Sequence, residues 1–215
     1  MTYRGAGLDH LDPQIAPLDV VRSWYADAQR DHRIVDPAAM VLATVDRDGV
    51  PNARTVLLKG LDAAGFMFFT NLRSRKSEEL AHSSVAALVF PWHPMFRQMR
   101  VRGAVEQLPR EDSEAYFQSR PRGSQIAAWA SMQSAPLAHR EDLVARVRQV
   151  EQEYEGQEVL PLPDFWGGFR LRPFEVELWV GMESRLHDRW VWNTPDSAPA
   201  PLDDADRWVG FRRQP

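Results

Sequence analysis

Residues 40–59 read MVLATVDRDGVPNARTVLLK and contain the pattern that decides the fold. Met40 to Val45 and Arg54 to Leu58 are rich in the β-branched and apolar residues that favour strands. Between them, Asp48-Gly49 is a strong hairpin signal, because glycine readily adopts the positive φ that tight turns require. The segment therefore predicts two antiparallel strands joined by a short turn.

Similar strand patterns recur along the chain, with helical patterns between them. Further strands are predicted at residues 66–70, 84–90, 98–107, 166–171, 174–179, 187–192 and 207–211. Helices are predicted at residues 17–32, 74–82, 110–118, 124–132 and 140–155. Closely spaced strands with short turns favour an antiparallel sheet or small barrel over alternating βαβ units. The predicted fold is mainly β with inserted helices (α+β), as a single domain over residues 17–215 after a flexible N-terminal arm of residues 1–16.

Composition excludes several classes of protein. The 215 residues carry a net charge of −4 and no cysteine, which argues against a nucleic-acid partner, disulfides and thiolate metal sites. The histidines are scattered without a ligand spacing, so no metal is expected. No apolar run reaches the roughly 18 residues of a membrane helix, and the N-terminus lacks a signal pattern. We expect a cytoplasmic protein that does not contact membranes.

Lysine is rare, since only Lys59 and Lys76 are lysines among the 26 basic residues. A compact ammonium differs in its interactions from a planar guanidinium, so the two lysines indicate positions where an arginine would not serve equally well. Lys59 follows an apolar run, where an ammonium needs an anion or strong acceptors. A lysine that extends to solvent at a strand end is an equal alternative.

Two further segments carry donors suited to an anion. Arg75 and Lys76 follow Ser74 at a predicted helix start. Cations are unfavourable beside the positive end of the helix dipole, so their presence there favours a bound phosphate. Tyr116, Arg120 and Ser124 are spaced i, i+4, i+8, although Pro121 favours a helix end that folds over an anion rather than one continuous face. In both segments the alternative is an ordinary solvated helix end.

The stretch Arg185-Leu186-His187-Asp188-Arg189 is predicted to begin a strand. On a strand, Arg185, His187 and Arg189 would share one face and repel each other unless an anion lies between them. The alternative is an edge strand whose charges discourage aggregation. With the two sets of anion donors, this face indicates two phosphates, one on a cofactor and one on a substrate.

Rossmann, P-loop and nucleophile-elbow patterns are missing from the sequence. Instead the chain resembles the pyridoxine/pyridoxamine 5′-phosphate oxidase family, in order, from about Asp36 to Arg189. The motifs that carry the resemblance are Arg54-Thr-Val-Leu-Leu-Lys59, Phe69-Thr70-Asn71, Ser74-Arg75-Lys76, Phe90-Pro91-Trp92, Arg97-Gln98, Tyr116-Phe117-x-Ser119-Arg120-Pro121-Arg122-x-Ser124-Gln125, Ala128-Trp129, Gln133-Ser134, Phe165-Trp166-Gly167-Gly168-Phe169-Arg170 and Arg185-Leu186-His187-Asp188-Arg189.

The resemblance implies an FMN-binding, antiparallel Greek-key split β-barrel that forms a homodimer with FMN at the subunit interface. It implies oxidation of pyridoxamine or pyridoxine 5′-phosphate to pyridoxal 5′-phosphate, with O2 as the electron acceptor and release of H2O2. Implied FMN contacts are Arg54, Thr55, Val56, Leu57, Leu58, Lys59, Phe69, Thr70, Arg75, Lys76, Gln98, Gln133, Ser134, Trp179 and Arg189. Implied substrate contacts are Lys59, Tyr116, Arg120, Ser124, Arg185 and His187. The resemblance implies that each site takes its FMN and substrate contacts from both chains of the dimer.

The resemblance also implies catalytic roles. Arg185 would lie over the pyridine ring and His187 would contact its 3-hydroxyl, while Asp36 and Tyr3 would assist proton handling or cover the site. Two other functions stay open. One is a split-barrel flavin oxidase acting on another substrate, such as a phenazine precursor. The other is a non-catalytic module that holds pyridoxal phosphate or flavin.

Overall fold

The structure, a computed structural model, describes residues 7–215 of the chain, so Tyr3 lies outside the described residues. The strands are β1 (Ala39–Val45), β2 (Pro51–Leu57), β3 (Gly60–Asp62), β4 (Gly65–Asn71), β5 (Val85–Phe90), β6 (Arg97–Gln107), β7 (Trp166–Val180), β8 (Asp188–Asn193) and β9 (Val209–Arg212). The α-helices are α1 (Pro17–Arg30), α2 (Arg75–His82), α3 (Arg110–Ser119), α4 (Arg122–Ala130) and α5 (Arg140–Glu153).

The strands form one antiparallel sheet that curls into a split barrel. Its main order is β2-β1-β5-β6-β7-β4-β3, with β8 beside β7 and β9 beside β8. Only Leu58 and Lys59 separate β2 at one edge from β3 at the other edge, so the sheet has to curl until its edges approach. In this two-residue link the Leu58 N–H donates to Ala38 O at 2.9 Å, beside β1, and the Lys59 N–H donates to Met67 O on β4 at 2.8 Å. The predicted fold class is confirmed.

The alternation of side chains along the strands supplies the core. Met40 and Leu42 of β1 are fully buried, as are Phe66, Phe68 and Phe90. A second, smaller apolar cluster lies between the α3–α4 pair and the start of β7, and consists of Phe117, Ile126, Leu160, Leu162 and Trp166. This cluster holds α3 and α4 against the end of the barrel, where several predicted substrate residues are found.

Two strand predictions differ from the structure. The segments 166–171 and 174–179 form one strand, β7, because Pro173 lies opposite Gly103 at an irregularity of the β6–β7 register. A missing N–H is tolerated at such a bulge, so proline does not end the strand there. The short strand β3 was not predicted, since three residues carry too little pattern to identify.

The described part of the predicted arm, residues 7–16, packs against the barrel. Leu8 and Leu11 are buried in the main core. The Trp192 indole N–H donates to Ile15 O at 3.0 Å, and the Leu8 N–H donates to Asp188 Oδ2 at 2.6 Å. The predicted domain boundary after residue 16 stays a prediction. Within residues 7–215, none of the helices combines the length and the apolar character that a membrane crossing requires.

Replacing Gly103 with alanine is expected to destabilise the protein by about 2 kcal/mol or more. An added Cβ would lie 2.2 Å from the backbone O of Arg172, and a backbone atom of β7 cannot move aside cheaply. Gly123→Ala is the control, because a Cβ there meets nothing within 4 Å and alanine favours the helix by up to about 1 kcal/mol. Denaturant unfolding measures the free energy of unfolding of both variants. Equal stability of the two variants would contradict the close β6–β7 approach.

Candidate functional site

Lys76 is the buried centre of a polar cluster at the start of α2. Its ammonium donates to Thr70 Oγ1 at 3.0 Å, to Ser74 Oγ at 3.0 Å and to Gln133 Oε1 at 2.9 Å. Only 7% of the residue is exposed. Burial, and next the positive charge of Arg54, lower the pKa of Lys76 to about 8. An anion bound here would stabilise the charged form of the ammonium.

Ser134 and the backbone of α2 extend this cluster. Ser134 has a φ of 72°, and its Oγ accepts from the Arg75 N–H at 3.2 Å, which ties the loop after α4 to the first turn of α2. A cavity of about 480 Å³ opens beside Arg75, Gln133 and Ser134. Backbone and side-chain donors at a helix N-terminus suit a phosphate. The structure thus brings together five predicted FMN contacts: Thr70, Arg75, Lys76, Gln133 and Ser134.

Glu79, which sequence reasoning missed, is a buried carboxylate at the centre of the neighbouring cations. It accepts from Thr44 Oγ1 at 2.6 Å, Asn52 Nδ2 at 2.9 Å, Arg54 Nη2 at 2.8 Å and Arg75 Nε at 3.2 Å. Burial would raise the pKa of Glu79, but these hydrogen bonds and the charge of Arg54 hold the pKa below its usual value. Its i, i+4 spacing from Arg75 was the available sequence signal.

A second cavity, of about 270 Å³, lies against Lys59, Tyr116 and Arg120. These are three of the predicted substrate contacts, and Thr70 and Gln133 also line this cavity. The two cavities are therefore neighbours that share part of their walls.

The second cavity has an aromatic wall and a partly buried guanidinium. Tyr116 stacks on Phe69 with ring centroids 4.1 Å apart, and Phe69 stacks on Trp166 at 5.5 Å. The Arg120 Cζ lies 4.8 Å from the Trp166 ring centroid. Burial lowers the pKa of Arg120, and its Nη1 is buried without a hydrogen-bond partner. A buried guanidinium N–H without an acceptor is costly, so the cavity favours an anionic ligand.

Ser124, which the sequence grouped with Tyr116 and Arg120, does not line the second cavity. α3 ends at Ser119, and Pro121 is the residue before α4, so the helix is interrupted as the proline predicts. The Ser124 N–H donates to Pro121 O at 2.8 Å within the first turn of α4.

The predicted FMN contacts from Arg54 to Lys59 lie along an edge of the sheet. Among the described strands, β2 pairs only with β1. Thr55, Leu57 and Lys59 are exposed, while Leu58 is buried in the core. Lys59 thus extends from a strand end into the second cavity rather than into the core. The free edge of β2 is accessible to a ligand or to another chain.

A separate group of predicted contacts lies at the far end of β7. Gln98 on β6, Trp179 on β7 and Arg189 on β8 are direct neighbours in the sheet register. Arg189 donates to Glu177 Oε2 at 2.8 Å and to Gln214 O at 2.9 Å. Its Nε is buried without a hydrogen-bond partner.

The prediction that Arg185, His187 and Arg189 share one strand face is wrong. Ser184 and Arg185 have φ values of 56° and 62°, in the left-handed region, and β8 begins only at Asp188. Residues with positive φ cannot continue a pleated strand, so the chain turns here and presents Arg185 on an exposed loop.

His187 folds back from this loop onto β7. Its Nδ1 accepts from the Met182 N–H at 3.2 Å, and its ring centroid lies 4.7 Å from that of Trp179. Because Nδ1 is an acceptor, the neutral imidazole carries its proton on Nε2.

The predicted contacts that line the two cavities lie far, within one chain, from those at the far end of β7. Phe69 pairs with Gly168 near the start of β7, whereas Gln98 and Arg189 flank Trp179 near its end. Eleven residues of strand separate those two positions, or roughly 36 Å along β7 at about 3.3 Å per residue. A small ligand that contacts one group in a chain therefore does not reach the other group in the same chain.

Asp36 lies in the turn between α1 and β1, outside both cavities, and its Oδ1 accepts from the Ala38 N–H at 3.1 Å. In the part of the chain that the structure describes, no group of three or more histidines or carboxylates is arranged to hold a metal ion.

Solved structures share this architecture. PhzG from Burkholderia lata, in complex with tetrahydrophenazine-1-carboxylic acid, superposes with a TM-score of 0.83 at 27% identity over 98% of this chain and 100% of that chain. A pyridoxamine 5′-phosphate oxidase-related, FMN binding protein from Nostoc punctiforme gives a TM-score of 0.70 at 16% identity over 94% and 99%, which shows the fold alone. The fold and its donor-lined cavities define a split-barrel protein of this class.

Residues 27–154 match the family described as Pyridoxamine 5′-phosphate oxidase, and residues 166–215 match the Pyridoxine 5′-phosphate oxidase C-terminal dimerisation region. The chain belongs to the pyridoxamine 5′-phosphate oxidase family, and its prediction as an enzyme of that family is confirmed. The match to the dimerisation region supports dimer formation.

Curated relatives called pyridoxine/pyridoxamine 5′-phosphate oxidase match most of the chain. The relative from Salinibacter ruber is 48% identical over 88% of this chain and 87% of its own. The Myxococcus xanthus relative is 56% identical over 75% and 78%, and the Aliivibrio salmonicida relative is 42% identical over 99% and 96%. The roles of individual residues stay predictions.

Proposed function

We propose that this chain is an FMN-dependent oxidase that converts pyridoxamine or pyridoxine 5′-phosphate to pyridoxal 5′-phosphate. With the alcohol, O2 is reduced to H2O2 as the substrate is oxidised. With the amine, water is also consumed and ammonia is released. The observation that carries the proposal is the pair of adjacent cavities with cationic donors, one beside buried Lys76 and its partner Gln133 and one beside the unpartnered Arg120 nitrogen.

The donors present fit FMN. The cluster of Lys76, Thr70 and Ser134 at the start of α2 would hold the cofactor phosphate, with Arg54 and Arg75 completing its charge. The exposed edge of β2 would lie along the cofactor. Bound FMN would supply the redox chemistry, taking up two electrons from the substrate and passing them to O2.

The second cavity would hold the substrate phosphate. Arg120 would donate to the phosphate from its site against Trp166, with Lys59 and Tyr116 completing the set. Charge-assisted hydrogen bonds from guanidinium and ammonium groups suit phosphate oxygens. We place Ser124 in this set on family resemblance alone.

A homodimer would complete the site. Gln98, Trp179 and Arg189 lie at the opposite end of β7 from Phe69, so contacts from both groups to one flavin require two chains. In this arrangement Arg185 and His187 of the second copy would orient the substrate ring, with His187 contacting the 3-hydroxyl. Misplacement of the reacting carbon by about 1 Å can cost of order 100-fold in rate. Asp36 and Tyr3 are proposed to assist proton handling or to cover the site.

The absorption spectrum of the purified protein and peroxide release test the proposal. We expect a yellow protein that produces H2O2 with pyridoxamine 5′-phosphate. A colourless protein that takes up no FMN would refute the proposal. Peroxide release with a phenazine precursor, and none with either phosphorylated pyridine, would favour an oxidase resembling PhzG. Flavin that stays oxidised after anaerobic addition of substrate would indicate a carrier.

A further inference from the structure

We infer that Glu79 is a positioning residue, which holds Arg54 and Arg75 beside Lys76 so that the three cations form one binding site for the cofactor phosphate. This inference rests on the proposed FMN function, because it assigns a role within that phosphate site. Glu79 would act through the arginines that it contacts and not through the ligand.

Glu79 joins three elements through one carboxylate. Its Oε2 accepts from Thr44 on β1 at 2.6 Å and from Arg54 on β2 at 2.8 Å. Its Oε1 accepts from Asn52 on β2 at 2.9 Å and from Arg75 on α2 at 3.2 Å. Only 3% of Glu79 is exposed. Four donors and little solvent leave the carboxylate with a single well-defined position.

The guanidinium of Arg54 is held from two sides. Its Nη2 meets Glu79, whereas its Nη1 contacts Thr44 Oγ1 and donates to Leu42 O at 3.2 Å. Thr44 itself donates to Glu79, so the arginine, the hydroxyl and the carboxylate form a closed ring of contacts. The orientation of Arg54 therefore depends directly on Glu79.

The charges around Lys76 also support a positioning role for Glu79. Lys76 is buried near Arg54 on β2 and Glu79 on α2, and its ammonium contacts Thr70 on β4 and Gln133 after α4. Arg54 lowers the pKa of Lys76, while Glu79 raises it. Without the carboxylate, the cations would repel each other at close range before any phosphate arrives.

Titration of the full-length apoprotein with FMN and with riboflavin, followed by flavin fluorescence, tests the inference. Glu79→Gln should weaken FMN binding about tenfold or more, because the amide NH2 cannot accept from donors that the carboxylate served. Riboflavin, which lacks the phosphate, should bind within about twofold of its wild-type affinity. Glu151→Gln is the matched control, since it makes the same charge change on an exposed residue of α5 that lines neither cavity.

The pH dependence separates positioning from general support of the fold. In the wild type, FMN affinity should fall above about pH 8, where free Lys76 loses its proton, while riboflavin affinity should not. Loss of the Glu79 charge lowers the pKa of Lys76 further, so the fall should begin at lower pH in Glu79→Gln. If that variant does not fold, Glu79→Asp keeps the charge and should lose about threefold in FMN affinity, with riboflavin unchanged.

Three results would overturn the inference: equal losses for FMN and riboflavin, FMN affinity that is unchanged or higher in Glu79→Gln, or a pH dependence that does not move. A wild-type protein that binds no FMN would instead refute the proposed function. Failure of the two ideas is therefore distinguishable.

Discussion

Replacing Arg120 with methionine is expected to raise the KM for pyridoxamine 5′-phosphate about 100-fold, because a charge-assisted hydrogen bond to the phosphate contributes about 1.5–3 kcal/mol. The Arg120 guanidinium lies against Trp166 and has a buried nitrogen without a partner. Methionine fits that aromatic surround and removes a buried N–H that has no acceptor, so stability should not decrease. The loss should therefore appear in substrate binding and not in folding.

Steady-state peroxide release measures this effect, with pyridoxamine as the comparison substrate. Because pyridoxamine lacks the phosphate, its kcat/KM should be nearly the same in Arg120→Met and in the wild type. Arg148→Met removes an exposed arginine from α5 and should change neither substrate. Equal losses for the phosphorylated and unphosphorylated substrates would show that Arg120 does not bind phosphate.

Replacing Arg185 with leucine is expected to reduce kcat by about 100-fold while FMN affinity changes less than about twofold. Arg185 stands on an exposed turn at a φ of 62°, so its removal should leave the barrel and the phosphate cluster of α2 intact. In the proposed dimer this side chain orients the substrate ring of the other chain. Its loss should then affect the reacting geometry rather than cofactor binding.

Turnover under saturating substrate and FMN titration of the apoprotein separate the two quantities. Arg185→Lys keeps a cation and should recover part of the rate. Ser184→Gly is the control for the turn, because glycine readily adopts the left-handed conformation that Ser184 has at a φ of 56°. Equal reductions of turnover and FMN affinity would assign Arg185 to the cofactor instead.

Local pattern predicted most of the elements. The Asp48-Gly49 turn lies between β1 and β2, and the predicted helix at 17–32 is observed as Pro17–Arg30. The exceptions have different causes: β3 is too short to carry a pattern, the turn at Arg185 has positive φ values that local composition does not predict, and the continuity of β7 depends on a strand distant in sequence. Pro173 remains within β7 because Gly103 on another strand lies opposite it at a bulge. The turn at Arg185 replaces the predicted strand start.

The candidate site was predicted as a set of cations and hydroxyls, and the structure sorts that set into neighbourhoods. Lys76 and Gln133 are 57 residues apart in sequence but 2.9 Å apart through their side-chain atoms. Lys59 and Arg120 line one cavity, whereas Ser124 does not. Glu79 was missed because a single glutamate in a short helix gives no sign of burial.

The sequence by itself determined the strands, the helices, the family and the residue types that can hold two phosphates, because side-chain alternation, turn residues and spaced motifs are local properties. Only the tertiary structure decided which donors meet, which guanidinium nitrogens lack a hydrogen-bond partner and which carboxylate lies among the arginines. The physical reason is that the sheet curls. Its closure and register bring β2, α2 and the loop after α4 together, and keep the end of β7 apart from them.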